Sequence, residues 1–508
     1  MSGASSGRAL RRPALRLRSG QDAGQGAAQR AFQGVAQDAA QGGVAQGAGL
    51  RAGARVPLPV RLAGLAVVVN LLVSGNLLMM LGIPYALDGG ALPEKLHPGT
   101  YLALAAFLLW LARERARLPH LLRRERPAVV FLAALAVCFV WSAGTTGKNH
   151  LVVFLESFLP AGLLALVLGG AEPAALRRLG RVVLRLLAAN VLLALAEAML
   201  HANLITFYLD AKPTVQKAGE FRPTALYDHP LTGAALTMMG CFLAAALPGR
   251  PWRWPWGRGW WLGLFLAGLL AFGERSALAV TVVLLGGWYG AALLRRVLTR
   301  RLGRADLAGL CAALLVLPAV AALLLTQTAV GDRLIAHSHW DASAEVRSVQ
   351  WRLLSLMTRE EFLFGVTRMR REVLLHQLGL TYPIGVIENF WLLLLTDLGA
   401  VGFAVFVAGF LALLLWGWRR ATPLGRVMLI GVVLVASGSN SLGRKSNVLT
   451  VLVPVLLAGA ALAAEERVAR GPVAPAAAGR MALKLRYPGT PSAATPWLWP
   501  PEGGRPAQ

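Results

Sequence analysis

The sequence predicts an all-α fold: a polytopic integral membrane helical bundle of about twelve transmembrane helices with one large external loop. Three observations carry that reading. The 508 residues are 56% hydrophobic and only 15% charged, where a soluble domain carries roughly 25% charged residues. Long apolar stretches recur from about residue 58 to residue 464, most of them near the ~20 residues that cross a ~30 Å hydrocarbon core. The loops between them alternate between arginine-rich and arginine-poor, which sorts them onto two faces of a membrane.

Taken in order, residues 1–55 are rich in Gly, Ala, Gln and Arg and bury too little to order themselves, so they read as a disordered cytoplasmic tail. The first apolar stretch comes only after this tail, so no secretory signal peptide is expected and the first span itself directs insertion. The membrane domain covers 56–470. Its expected spans are 61–82, 99–112, 127–143, 151–169, 181–199, 229–247, 259–273, 276–294, 306–328, 390–416, 424–440 and 447–464. The Pro-, Ala- and Gly-rich residues 471–508 read as a second disordered cytoplasmic tail.

Under this arrangement one face collects Arg113, Arg115, Arg117, Arg123, Arg124, Arg126, Arg177, Arg178, Arg181, Arg295, Arg296, Arg419, Arg420 and Arg426. The positive-inside rule makes that face cytoplasmic and puts both termini there. The other face carries the loop at 329–389, long enough to translocate regardless of its charge. Within it, "AEVRSVQWRLLSLM" sets Val346, Val349, Leu353 and Leu354 on one helical face, so the loop is expected to fold as amphipathic helices lying on the bundle.

The net charge of +26 does not indicate nucleic acid: the basic residues flank apolar segments instead of striping a soluble domain, and suit contacts with membrane lipids. Cys138, Cys241 and Cys311 each lie inside an apolar run, an odd and dispersed set that fits neither a disulfide framework nor a metal site. His337, His339 and Asp341 are weak metal ligands in a polar run. No metal or cofactor is expected.

Polar residues cluster on the arginine-poor face. "GEFRPTALYDHP" places Arg222, Tyr227, Asp228 and His229 before a span, with Asp228 suited to cap the helix that follows. "FGERSAL" sets Glu274, Arg275 and Ser276 in a tight turn between two apolar runs, where ionisable groups are costly and mark a site. Arg347 lies in the long loop, and Glu388 and Asn389 close it; a carboxylate there suits a general base. Gly399 and Gly402 permit close helix packing. In "SGSNSLGRKSN", Arg444 and Lys445 read as a basic pair contacting lipid headgroups. Converging guanidinium groups bind phosphate in planar, bidentate fashion and would stabilise a departing pyrophosphate.

At "FRPTALYDHPLTGAAL", "GERSALAV", "SAEVRSVQWRLLSLMTREEFLFGVT" and "ENFWLLLLTDLGAVGF" the chain resembles the O-antigen ligase and O-antigen polymerase family of bacterial envelope proteins, over about residues 180–440. The resemblance implies a glycosyltransferase of the inner membrane that moves glycan units from an undecaprenyl-pyrophosphate carrier on the periplasmic face, for exopolysaccharide or O-antigen synthesis. Arg222, Arg275, Arg347 and the Glu388–Asn389 pair stand at the family's motif positions. By that resemblance Arg222 and Arg275 bind pyrophosphate, Arg347 holds donor or acceptor, and Glu388 activates the acceptor, with Asn389, Ser276, His229 and Tyr227 lining the substrate. Family ligases tend to carry a histidine where this chain has Glu388, which draws the likeness toward polymerases, leaves His229 a rival base, and makes a chain-length regulator a candidate partner. Two alternatives stay open: a ligase passing finished glycan to a lipid or protein acceptor, and a transporter of polysaccharide precursors.

Overall fold

A computed structural model describes residues 56–85, 92–146, 151–209, 212–214, 216, 221–247, 257–299, 346, 348–380, 387–443 and 445–469. The expected span 306–328, both tails, Cys311, the His337–His339–Asp341 group, Arg347 and Arg444 lie outside the described residues. The described chain is mostly helical. One two-residue antiparallel pair, β1 (Tyr208–Leu209) with β2 (Lys212–Pro213), interrupts it. Six described helices are long and apolar enough to cross a bilayer: Arg126–Thr145, Leu151–Gly169, Pro173–Leu200, Arg275–Leu298, Phe390–Arg420 and Val448–Glu466. This part of the chain is a helical membrane protein.

The first expected span is two helices. α1 (Leu58–Leu72) stops at Val73, and α2 (Gly75–Met80) restarts behind Ser74, whose Oγ accepts from the Leu77 N–H at 3.1 Å. Breaking a helix inside an apolar bundle strands carbonyl oxygens, each expensive unless paired. Three side chains from distant elements pair them. Asn447 donates to Asn70 O, Asn190 to Leu71 O at 3.2 Å, and the His97 ring to Val73 O at 2.6 Å.

α3 (Pro98–Glu114) packs on α1, and the short α4 (Leu118–Arg124) leads into α5 (Arg126–Thr145). α6 (Leu151–Gly169) widens to a π turn over Phe154–Phe158. α7 (Pro173–Leu200) presents Asn190 and Glu197 inward, both fully buried. α8 (Pro230–Ala245) is buried along its length, as expected of a helix apolar on every side. Rings of Phe272 and Phe265, from α9 (Arg258–Phe272), fill the space left beside Gly233 and Gly240 of α8. α10 (Arg275–Leu298), α14 (Phe390–Arg420), α15 (Pro423–Gly438) and α16 (Val448–Ala469) complete the bundle. Apolar side chains left exposed on α3, α5, α10 and α14, such as Leu108, Val140, Val283 and Leu411, form a lipid-facing coat.

α14 is broken too. Gly399 takes φ 66° and ψ 172°, so Phe390–Leu398 and the following run to Arg420 are separate helical pieces. Gly399 serves here to bring the long loop close, where helix packing was expected of it. A Cβ at Gly399 would meet Gly365 and Leu363 at under 3.0 Å. The freed carbonyls of Thr396 and Leu398 accept from Val366 N–H at 2.8 Å and Trp141 Nε1 at 2.9 Å. Gly402 and Gly409 do provide close packing, against Trp141 and Ala134 of α5.

The long loop folds as α11 (Leu353–Leu356), α12 (Arg359–Phe364) and α13 (Arg368–Gln377). Leu353, Leu374 and Leu375 bury against Ile387 and Leu392, with Val346, Val349 and Leu354 packed around them. A capping box at Thr358–Glu361 opens α12, and Glu361 is paired with Arg370 at 2.6 Å.

Candidate functional site

Alternate helix ends meet at opposite ends of the bundle. At the arginine-rich end, Glu125 accepts from Trp416 Nε1 at 2.8 Å and pairs with Arg420, which also donates to Gly169 O at 2.6 Å. The arginine-poor end gathers a set of buried polar groups.

Its centre is a cavity lined by Asn70, Ser74, Tyr85, His97, Glu156, Tyr227, Asp228, Thr232, Lys445 and Asn447, with room for about 20 Å³, on the order of one water. The π turn of α6 aims Glu156 at it. One oxygen of Glu156 accepts from the His97 N–H at 2.8 Å and the other from the Tyr85 hydroxyl at 2.8 Å. Asp228 was expected to cap the helix after it. Instead His229 caps α8, its Nδ1 accepting from Leu231 N–H at 3.2 Å, and Asp228 accepts from Asn76 N–H of α2 at 3.0 Å. Lys445 turns inward, not to lipid headgroups. Its ammonium donates to Tyr85 O at 2.7 Å and Lys95 O at 2.8 Å, and lies 3.7 Å from the Tyr85 ring centre.

The electrostatics follow from burial. His97 donates through Nε2 and accepts a Gly99 N–H at Nδ1, which fixes the neutral tautomer; burial pushes its pKa down to about 4. Burial lowers Lys445 to about 8 against the pull of Glu156 and Asp228. Burial raises the carboxyl of Asp228, opposed by the N–H groups of Asn76 and Gly75 and by Lys445. Burial and the two nearby carboxylates push the Tyr85 hydroxyl well above its ordinary range.

A rim of the expected residues adjoins this cavity along the turn from α15 to α16. Asn389 caps α14, its Oδ1 accepting from Leu392 N–H at 3.0 Å, while its Nδ2 donates to Ser437 O at 3.1 Å. Trp391 donates to Ser437 Oγ at 2.7 Å, and Asn440 donates to Ile387 O at 2.9 Å. Glu388, partly buried, is held through its N–H by Gln350 at 3.0 Å. Ser276 lies beside Gly438 and donates to Glu274 at 2.9 Å. A few residues on, Ser446 N–H donates to Ser157 Oγ at 2.9 Å, so this one turn touches both the rim and the cavity.

Of the expected residues, Tyr227 lines the cavity, His229 follows it, and Ser276 and Asn389 meet at the end of α15. Arg275 is exposed at the first residue of α10, where the helix dipole opposes a cation, so helix stability does not explain it. Arg222 is anchored through its backbone, which exchanges hydrogen bonds of 2.8 and 3.0 Å with Gln216. Neither arginine lines the cavity. Sequence reasoning passed over Glu156, Tyr85 and His97. Glu156 carried a usable signal, a lone carboxylate inside an apolar span; the other two carried none. No family model matches the chain, and no curated protein matches it.

Proposed function

We propose that the chain is a glycosyltransferase of the bacterial cytoplasmic membrane, built on about twelve spans with both termini inside. It polymerises or transfers undecaprenyl-pyrophosphate-linked glycan units at its outer face. One observation supports this reading above others: Ser276, Asn389 and Tyr227, set apart along the sequence, gather at one end of the bundle, and Asn389 and Ser276 both reach the last turn of α15. Arg275 stands beside that turn at the start of α10, exposed as a binder of a membrane-surface phosphate must be. Glu388 is the base of this reading and His229, whose Nδ1 caps α8, its weaker rival.

The test is an assay of purified protein in lipid with an undecaprenyl-pyrophosphate-linked oligosaccharide, without nucleotide sugar. A ladder of products is expected. Transfer only to an added acceptor would make the protein a ligase, and no turnover would sink the enzyme reading. A transporter is the second reading, favoured by the two broken helices and the ionisable residues gathered at the α1–α2 break.

A further inference from the structure

The cavity at the α1–α2 break holds an uneven set of charges. Glu156 enters from α6, Asp228 from the turn before α8, and Lys445 from the turn before α16. Tyr85 and His97 face them from the connection between α2 and α3, where Lys95 turns its backbone carbonyl to Lys445. His97 is a neutral ring, both its nitrogens being committed. Lys445 directs its ammonium to two carbonyls and an aromatic face, and no ion pair joins it to either carboxylate among the described residues. Two carboxyls therefore share the field of one buried ammonium; Lys95 lies outside the lining, and its charge bears on Lys445 and on neither carboxyl. Buried charge left over in this way is costly, and a group in that position is neutralised.

What could neutralise it is limited by space. Room for about one water does not admit a hydrated cation. Among the described residues no three His, Cys, Asp or Glu side chains are placed to hold a metal ion together, Glu156, Asp228 and His97 included. Tyr227 lines the same cavity, is 1% exposed, and its hydroxyl has no hydrogen-bond partner. A neutral carboxyl or a single water supplies one.

We propose that this cavity is a proton-binding site, in which one proton, carried by one of the two carboxyls that line it, Glu156 or Asp228, exchanges with water on the arginine-poor face. Binding forms one carboxyl O–H bond at the expense of a hydronium from that water, and release returns it. The raised carboxyl of Asp228 accords with it. The inference does not depend on the glycosyltransferase reading.

Infrared spectroscopy of the protein in phosphatidylcholine vesicles tests it. At neutral pH the spectrum should contain a protonated-carboxyl band that is lost in Glu156→Gln or Asp228→Asn. Lys445→Met, which removes the ammonium, should about double that band by protonating the second carboxyl. Tyr85→Phe, which keeps the carboxyls, should shift the band without removing it, and serves where a carboxyl variant does not fold. A band that no substitution moves, or one abolished by sodium at constant pH, would overturn the proposal; the sodium result would make the cavity a metal-cation site.

Discussion

Arg371, carried by the long loop, is paired with Asp397 of α14, two residues before Gly399 breaks that helix. The carboxylate is 5% exposed and the guanidinium 14%, so the loop is fastened to the bundle by a nearly dry ion pair.

Removing one partner leaves a buried charge, at a cost of about 3–5 kcal/mol. Arg371→Ala should lower the unfolding temperature in detergent and expose the long loop to protease. The double change Arg371→Met with Asp397→Leu should recover most of the loss. Additive losses in that cycle would show the two residues to be uncoupled.

Gly399→Ala should be costly as well, by about 1–3 kcal/mol, because the backbone there is left-handed and the new Cβ has no space. Gly263→Ala, in the interior of α9 with open space around it, should stabilise by about 0.5–1 kcal/mol. Thermal unfolding of both variants provides the comparison.

The pH dependence of stability should carry the mark of His97. Its pKa in the fold, about 4, lies below its ordinary 6.5, so the unfolded chain binds the proton more readily. The stability it contributes is full above pH 6.5 and is lost as pH falls toward 4, by about 3 kcal/mol in all. Asp228, raised, acts in the opposite direction. The difference between wild type and His97→Asn isolates the histidine, and denaturant titrations at pH 7 and pH 4.5 should converge only in the variant.

Glu197 gathers three backbone N–H groups, those of Leu204, Thr224 and Ala225, at 2.8–2.9 Å. Glu197→Gln keeps the shape but removes the charge that strengthens these bonds, at a cost of about 2 kcal/mol. Hydrogen exchange should rise at residues 202–226 and leave α16 unchanged.

If the chain polymerises lipid-linked glycan as proposed, Arg275→Ala should reduce polymer formation at least 100-fold, the usual effect of removing one donor to a developing anion, with protein level unchanged. Normal chain length in that strain would end its assignment to pyrophosphate.

Much of the helical layout was legible because a buried helix must be apolar over a definite length, and the expected segments from 99–112 to 447–464 fall on described helices, 306–328 aside. The breaks were harder to see. "VSGN" at residues 73–76 carries the Ser–Gly punctuation of a turn, yet an apolar average hides it. The partners that make the break tolerable, Asn190 and Asn447, stand 119 and 377 residues from the carbonyls they serve, beyond any local pattern. Asp228 is the same case: its local context says cap, while its partner lies 152 residues away on α2. Charge rules describe loops, not the direction a side chain takes within them, so nothing local turns Lys445 inward.

The bond between Glu125 and Arg420 also has a place in time. The two residues are 295 positions apart. At the ordinary pace of translation, the first half of the bundle waits about 15–60 s for its guanidinium to emerge from the ribosome. Until then Glu125 is a carboxylate at the membrane edge with its final partner unsynthesised. Arg124, its neighbour in the chain, is the cation already beside it, 3.4 Å away in the finished fold, so the full set of bonds at Glu125 closes only when α14 is in place.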